Sequence, residues 1–222
     1  MLISHKFRFI FVHIAKTGGT SIRSALTPLL LTDPYRWLQY LLNRLSDLTS
    51  HRIGVKFPRH AGIVAAMEIL PGEYFRSMFK FAFVRNPWDL QVSSYHHIQR
   101  ERPQLLSHIH DFESFLKWKL EGDRPPHYIL DASSRPQWYS LIDISGNCVM
   151  DFIGRFERLE EDFSRACKLM GLKRVPSLPH RRKGVNRERD YRIYYTDRGA
   201  ELVERHFRID IEKLGYSFDM KK

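Results

Sequence analysis

The sequence predicts an α/β fold: a single domain in which helices flank a central parallel β-sheet. Residues 9–14 and 79–84 are compact apolar segments with the length and composition of buried strands. Each is followed by a segment with helical spacing of apolar residues, and strands that alternate with helices are typical of parallel sheets. The chain has 222 residues, which suits one domain, and we expect that domain to span 1–222.

The other elements continue this alternation. The first helix follows residues 15–21, and we expect Pro28 and Pro34 to limit it because proline lacks the N–H that a helix interior needs. Asn86 and Pro87 mark the start of the helix after the second strand, since Asn caps helices and Pro suits their first position. Helices are also predicted over 35–45, 60–70, 111–121, 157–170 and 197–214, strands over 53–57 and 149–156, and an exposed basic loop over 173–190.

Charge and cysteine content narrow the classes of function. The formal net charge is +11, which favours an anionic partner such as a polyphosphate ligand, an acidic polysaccharide, nucleic acid or anionic lipid. Cys148 and Cys167 lack the pattern of a disulfide scaffold or a zinc site, so we expect reduced thiols, with a single bridge between them as the alternative. No apolar run reaches the roughly 18–20 residues that span a bilayer. A cytoplasmic protein is expected, or a catalytic part whose anchor lies outside the sequence.

The segment after the first strand, Ala-Lys-Thr-Gly-Gly-Thr-Ser at 15–21, has the composition of an anion-binding loop. Backbone N–H groups at the start of a helix attract anions, and glycines let the backbone approach the ligand. The loop is not a Walker A motif, because Lys16 precedes Gly18 and Gly19 instead of following them. A tight strand–helix turn with an incidental lysine is the alternative.

A second candidate anion site follows the strand at 79–84. Arg85 stands at the carboxyl end of that strand, where ligands of open α/β sheets bind. Ser93 lies two turns along the next helix, and a guanidinium suits a phosphate edge. The alternative is a structural ion pair between Arg85 and Asp89. Two such sites after two strands favour a nucleotide that carries phosphate at both ends of the nucleoside.

Two segments together resemble the motifs of the PAPS-dependent sulfotransferases. They are His-Ile-Ala-Lys-Thr-Gly-Gly-Thr-Ser at 13–21 and Phe-Val-Arg-Asn-Pro-Trp-Asp-Leu-Gln-Val-Ser-Ser-Tyr at 83–95. Residues 153–163 and 194–218 also resemble parts of that family. The similarity is greatest to the Golgi-type carbohydrate branch, which includes heparan sulfate 2-O-sulfotransferase, and to its bacterial relatives. It implies a P-loop-like sulfotransferase fold, PAPS as donor, PAP as product and no metal.

The resemblance also implies roles for individual residues. Lys16 would contact the bridge between the phosphate and the sulfate of the donor and stabilise the leaving group. Arg85 and Ser93 would hold the 3′-phosphate. The 5′-phosphate would be bound by Thr17, Gly18, Gly19, Thr20 and Ser21, and a late basic loop over the nucleotide would include Arg182, Lys183 and Gly184.

Sulfuryl transfer requires an in-line arrangement of acceptor oxygen, sulfur and leaving oxygen, together with a base for the acceptor hydroxyl. His60 is our first candidate for that base, because related enzymes carry a catalytic His or Glu in a comparable segment. His13 is the second candidate, and His96 and His97 are the third. Glu157 would orient the site or only favour the start of its helix.

The acceptor is expected to be a carbohydrate or another hydroxyl-bearing molecule. Basic residues over 174–192 would suit an anionic glycan, or form a solvated loop. Arg135, Gln137, Trp138 and Tyr139 form an aromatic, hydrogen-bonding patch that suits sugars, or a strand edge in the core. The competing functions are a P-loop nucleotide kinase and a non-catalytic module that binds nucleic acid or anionic glycan. We expect no nucleic-acid partner.

Overall fold

The computed structural model describes residues 1–49, 57–122, 124–179, 188 and 190–219. These residues form two compact units. The first unit contains residues 1–14, 18–49, 57–83 and 140–179, and the second contains residues 15–17, 84–122, 124–139, 188 and 190–219. A single domain over 1–222 stays a prediction.

The chain has an α/β fold, as predicted, built on a four-stranded sheet. Its strands lie in chain order, β1 (Leu2–Ser4), β2 (Phe9–Val12), β3 (Phe79–Val84) and β4 (Phe152–Arg155). β2 and β3 are parallel, whereas β1 is antiparallel to β2. The helices among the described residues are α1 (Gly19–Leu31), α2 (Pro34–Thr49), α3 (Val64–Ile69), α4 (Gly72–Ser77), α5 (Pro87–Glu101), α6 (Phe112–Leu120), α7 (Tyr128–Asp131), α8 (Leu159–Leu169), α9 (Asp197–His206) and α10 (Arg208–Leu214).

Aromatic side chains of the central strands form the core of the first unit. Phe11 and Phe81 stack with their ring centroids 5.1 Å apart, and both are fully buried. Residues of α1 and α8, among them Leu26 and Phe163, belong to the same cluster. Burying a side chain of this size stabilises the fold by about 1.5–3 kcal/mol, so this packing holds α1 on the sheet and positions the loop before it.

The second unit is organised around α5. The Asn86 side chain caps this helix, and its oxygen accepts from the N–H of Trp88 at 3.0 Å and of Asp89 at 3.5 Å. The amide nitrogen of Asn86 donates to the carbonyl of Ser217 at 3.0 Å, so the cap also fixes the last described segment of the chain. Trp88 is buried in a cluster with residues of α6 and α9.

Several predicted elements differ from the structure. α1 continues through Pro28 to Leu31, so the expectation that Pro28 would limit it is wrong; only one turn follows the proline, where few backbone bonds are lost. The helix predicted over 197–214 is interrupted at Phe207, where α9 ends and α10 follows. β1 was not predicted, because three residues are too few to show a period. Most of the strand predicted over 53–57 lies outside the described residues.

Within the described ranges, no helix is both long enough and apolar enough to cross a bilayer.

Candidate active site

The loop between β2 and α1 has a left-handed backbone at two positions. Lys16 has a φ of 66° and Gly18 a φ of 80°. Glycine adopts this conformation readily, whereas for lysine it is uncommon and strained. Within the second unit, the carbonyl of Lys16 accepts a hydrogen bond from Arg85 Nη1 at 2.9 Å. Arg85 therefore helps to hold Lys16 in its strained conformation.

A side chain would be unfavourable at both glycines of the loop in the first unit. A Cβ atom on Gly19 would lie 2.1 Å from His13 Cδ2 and 2.2 Å from Nε2, in steric overlap with the imidazole ring. A Cβ atom on Gly18 would lie 2.8 Å from a methyl of Leu159, in addition to the strain of the positive φ. The sequence predicts that these glycines let the backbone approach a ligand. The structure shows in addition that the backbone at Gly19 lies close to the buried His13 side chain.

The amino end of α1 differs from those of α5, α6 and α9 in how it is capped. No side chain caps it, and its first turn contains no acidic residue. By contrast, Asn86, Asp111 and Thr196 cap α5, α6 and α9. Uncapped N–H groups and the positive end of a helix dipole form an anion-binding site. Thr20 and Ser21 are partly exposed in that first turn, so their hydroxyls can reach a bound anion.

Arg85 is buried, and its guanidinium is engaged at three nitrogens. Nε donates to Asp89 Oδ2 at 2.9 Å, Nη2 lies 2.8 Å from the same oxygen, and Nη1 binds the Lys16 carbonyl. Asp89 is fully buried. The structural ion pair considered as an alternative for Arg85 is thus present. A phosphate would have to share the guanidinium with Asp89 or displace it.

The backbone of Arg85 is held by Gln137. The N–H of Arg85 donates to Gln137 Oε1 at 2.9 Å, and Gln137 Nε2 donates to the carbonyl of Arg85 at 2.7 Å. Asp210 in turn accepts from the backbone N–H groups of Gln137 and Trp138, both at 2.8 Å. Gln137 is 1% exposed, so it braces the end of β3 and is not part of an exposed sugar-binding patch. No local pattern could have revealed this, because Asp210 lies 73 positions from Gln137.

His60 precedes α3 in a turn instead of starting a helix, and its ring is oriented by one hydrogen bond. Its Nδ1 lies 2.8 Å from the carbonyl oxygen of His13. Since a carbonyl can only accept, Nδ1 carries the proton, and the neutral ring therefore has its lone pair on Nε2. Burial lowers the pKa of His60, although the hydrogen bond to His13 opposes this, and nearby Arg59 and Arg23 lower it further. His60 is accordingly a neutral imidazole at pH 7, the form a base needs.

His13 is buried beside His60, with the two ring centroids 4.8 Å apart. Burial lowers the pKa of His13 to about 2, and the positive charge that His60 carries once it is protonated acts in the same direction. Its Nδ1 is buried and makes no hydrogen bond within the described part of the chain. The ring packs against Gly19, so His13 supports the start of α1 as a neutral, buried side chain.

The remaining candidate residues differ in their contacts and in their exposure. His96 bonds to the hydroxyl of Tyr194 at 3.0 Å, and His97 lies 3.3 Å from Arg100, both in the second unit. Ser93 is partly exposed on α5, and Glu157 is partly exposed in the 3₁₀ turn before α8. Thr17 is fully buried. The predicted basic loop of Arg182, Lys183 and Gly184 lies outside the described residues.

Comparisons with known proteins identify the family of the chain. The sequence profile of the sulfotransferase family matches residues 1–217. An uncharacterized protein of Archaeoglobus fulgidus is 33% identical over 99 residues, which is 44% of this chain and 72% of the relative. No solved structure matches the chain with statistical significance. Because the family profile covers almost the whole sequence, the chain belongs to the sulfotransferase family.

Proposed function

We propose that this protein transfers a sulfuryl group from PAPS to a hydroxyl of a carbohydrate acceptor. Membership of the sulfotransferase family supports sulfuryl transfer in general. The observation that carries the choice of donor is the uncapped amino end of α1, which follows a left-handed loop containing Lys16. A helix end of this kind suits the 5′-phosphosulfate of the donor.

In this proposal the donor is held at its two ends. The 5′-phosphate binds the loop and the first turn of α1, through Thr17, Gly18, Gly19, Thr20 and Ser21. The 3′-phosphate binds Arg85 and Ser93, and Arg85 exchanges part of its contact with Asp89 for the phosphate. A late basic segment, Arg182, Lys183 and Gly184, completes the donor site.

The chemical step is an in-line displacement at sulfur. The acceptor oxygen forms a bond to sulfur while the bond from sulfur to the bridging oxygen breaks, and its electron pair stays on PAP. Lys16 stabilises the negative charge on that oxygen. The acceptor proton moves to Nε2 of His60, the nitrogen that carries the lone pair when Nδ1 donates to the His13 carbonyl.

The carbohydrate acceptor and the cytoplasmic location are inferred on narrower grounds. Trp138 is partly exposed in the second unit and Tyr139 is exposed, and aromatic side chains of this kind suit sugar rings. Cys148 and Cys167 are both free, which supports a reducing compartment. The resemblance to carbohydrate sulfotransferases is the main support for a glycan.

Donor use is tested by thermal shift and turnover. PAP should raise the melting temperature much more than AMP, because only PAP offers phosphates to both sites. Radiolabelled PAPS with a panel of glycans and small alcohols then identifies the acceptor. Lys16→Ala should abolish most transfer while Lys6→Ala, at an exposed position on the same unit as β1, should not. Equal stabilisation by PAP and AMP would contradict the proposal, and ATP turnover that depends on Mg²⁺ would favour a kinase.

A further inference from the structure

A buried lysine lies in the second unit and has no role in the proposed chemistry. Lys119, on α6, is 3% exposed. Lysine is almost never fully buried without a charged partner. The hydrogen-bond partners of its ammonium group are neutral oxygens on α5 and just after α7, and the ammonium lies 5.7 Å from the centroid of the Phe115 ring.

The hydrogen bonds of Lys119 form a compact cluster. Its Nζ donates to Gln91 Oε1 at 2.5 Å, Ser94 Oγ at 3.1 Å, and Ser133 through both its hydroxyl at 3.0 Å and its carbonyl at 3.1 Å. The hydroxyls of Ser94 and Ser133 are themselves 2.9 Å apart. A charged ammonium can donate three of these bonds. A neutral amine can donate two and accept one from a serine hydroxyl, so the cluster satisfies either form.

The charges around Lys119 favour the neutral form when no anion is bound. Burial lowers the pKa of Lys119 well below its usual value, and the positive charges of Arg124 and Lys16 lower it further. Asp131 acts in the opposite direction, but it is already paired with Arg124 at 2.7 Å. These three residues are the charged groups of the described chain that act on Lys119.

Lys16 connects this cluster to the donor. In the proposed function, on which this inference rests, the phosphosulfate of PAPS lies against Lys16. That negative charge offsets the repulsion that Lys16 exerts on Lys119 and adds an attraction of its own. Binding the donor must therefore favour the protonated form of Lys119.

We propose that Lys119 is a positioning residue whose protonation is coupled to donor binding, so that the protein takes up a proton when PAP or PAPS binds. The charged ammonium then adds positive potential behind Lys16 without touching the donor. By linkage, donor affinity falls as the pH rises through the range in which the unliganded Lys119 loses its proton, by up to about tenfold per pH unit.

The test is calorimetry of PAP binding to the full chain between about pH 8 and pH 9, well above the second phosphate pKa of about 6 and the usual histidine pKa of about 6.5. Titrations in two buffers of different ionisation enthalpy give the number of protons taken up per PAP. We expect uptake that approaches one proton at alkaline pH. Binding without proton uptake by the unaltered protein overturns the inference, whether or not any variant folds.

A matched pair of variants assigns the proton. Lys119→Met should bind PAP without proton uptake and with an affinity that no longer depends on pH, whereas Lys117→Met, at an exposed position of the same helix, should behave as the unaltered protein. Proton uptake that persists in Lys119→Met excludes Lys119 as its source. Absence of PAP binding by the unaltered chain overturns the proposed donor and this inference together, and so is distinguishable from binding without uptake.

Discussion

At the scale of single residues, the structure changes how the histidines are understood. His13 and His60 lie in contact, but they differ in what their rings can do. His13 is closed in by burial and supports Gly19, whereas His60 is partly exposed and has its tautomer set by a backbone carbonyl. The sequence ranked His60 first by its position alone. The tautomer and the lowered pKa give that choice a physical basis, and the catalytic role itself stays a prediction.

We therefore expect His60→Ala to lower kcat by about 10²–10⁴-fold while leaving PAP binding nearly unchanged. Because the pKa of His60 is lowered, the kcat/KM of the unaltered enzyme should decline at acid pH with an apparent pKa below the usual histidine range. Steady-state rates over a pH series, with PAP affinity measured separately, test this. His108→Ala, at an exposed position that is not a candidate for the base, is the control. An unchanged acid limb in His60→Ala would assign the base to another group.

At the scale of elements, the junction of β2, its loop and α1 depends on contacts from outside the motif. Only glycine fits at position 19, because the His13 ring occupies the space that a Cβ atom would need. Such contacts explain why a motif of seven residues can predict anion binding while leaving the packing unspecified. Strands β2, β3 and β4 and the cap of α5 could be predicted, since their signals are local. The brace of Gln137 and Asp210 could not, since it joins distant segments.

Gly19→Ala should lower the stability of the fold by about 1–3 kcal/mol, because its Cβ would displace a buried ring. PAP binding should weaken with it. Adding His13→Ala removes the clash and should restore part of the stability, measured by urea unfolding. Gly72→Ala, where the nearest atom is 3.4 Å from the new Cβ, is the matched control. Equal effects of Gly19→Ala with and without His13→Ala would show that the ring is not the cause.

The ion pair at the start of α5 allows a second test at this scale. Asp89→Asn should destabilise the protein by about 3–5 kcal/mol, since it leaves the buried guanidinium of Arg85 without its carboxylate partner. It should also lower kcat more than it raises KM for PAPS, because Arg85 positions the Lys16 carbonyl. Glu212→Gln is the control. It removes the carboxylate charge of the exposed ion pair Arg208–Glu212, which has the same spacing of four residues, and it should change little. A pure rise in KM for Asp89→Asn would refute the positioning role.

At the scale of the whole molecule, the α/β class could be predicted from two strands and the helices that follow them. The sulfotransferase family profile covers residues 1–217, which is nearly the whole chain. What the sequence could not supply is the division into two compact units, because it depends on which distant segments pack together. Helical spacing places Lys119 on the buried face of α6 with Phe112, Phe115 and Leu116, and leaves Lys117 on an exposed face. The sequence does not supply the neutral oxygens that surround the Lys119 ammonium, because they come from distant segments.

Acid stability of the whole fold should depend on His13. Its pKa is about 2 in the folded protein and 6.5 when exposed, so below 6.5 the unfolded state takes up a proton that the folded state does not. Stability is therefore fully present above pH 6.5 and is lost as the pH falls, by up to about 1.4 kcal/mol per pH unit from this group. Urea unfolding at several pH values should show this slope, and His13→Phe should reduce it. An unchanged slope in His13→Phe would assign it to other groups.

The engagement of Arg85 at all three guanidinium nitrogens has a consequence for comparing relatives of this protein. A lysine at position 85 would keep the formal charge and would score as a conservative exchange. One ammonium nitrogen cannot reproduce a fork that spans a carboxylate on one side and the Lys16 carbonyl on the other. Alignments of this family should therefore be divided by side-chain shape at this position before they are divided by charge, and an enzyme with lysine there should be treated as one in which the loop is held by different means.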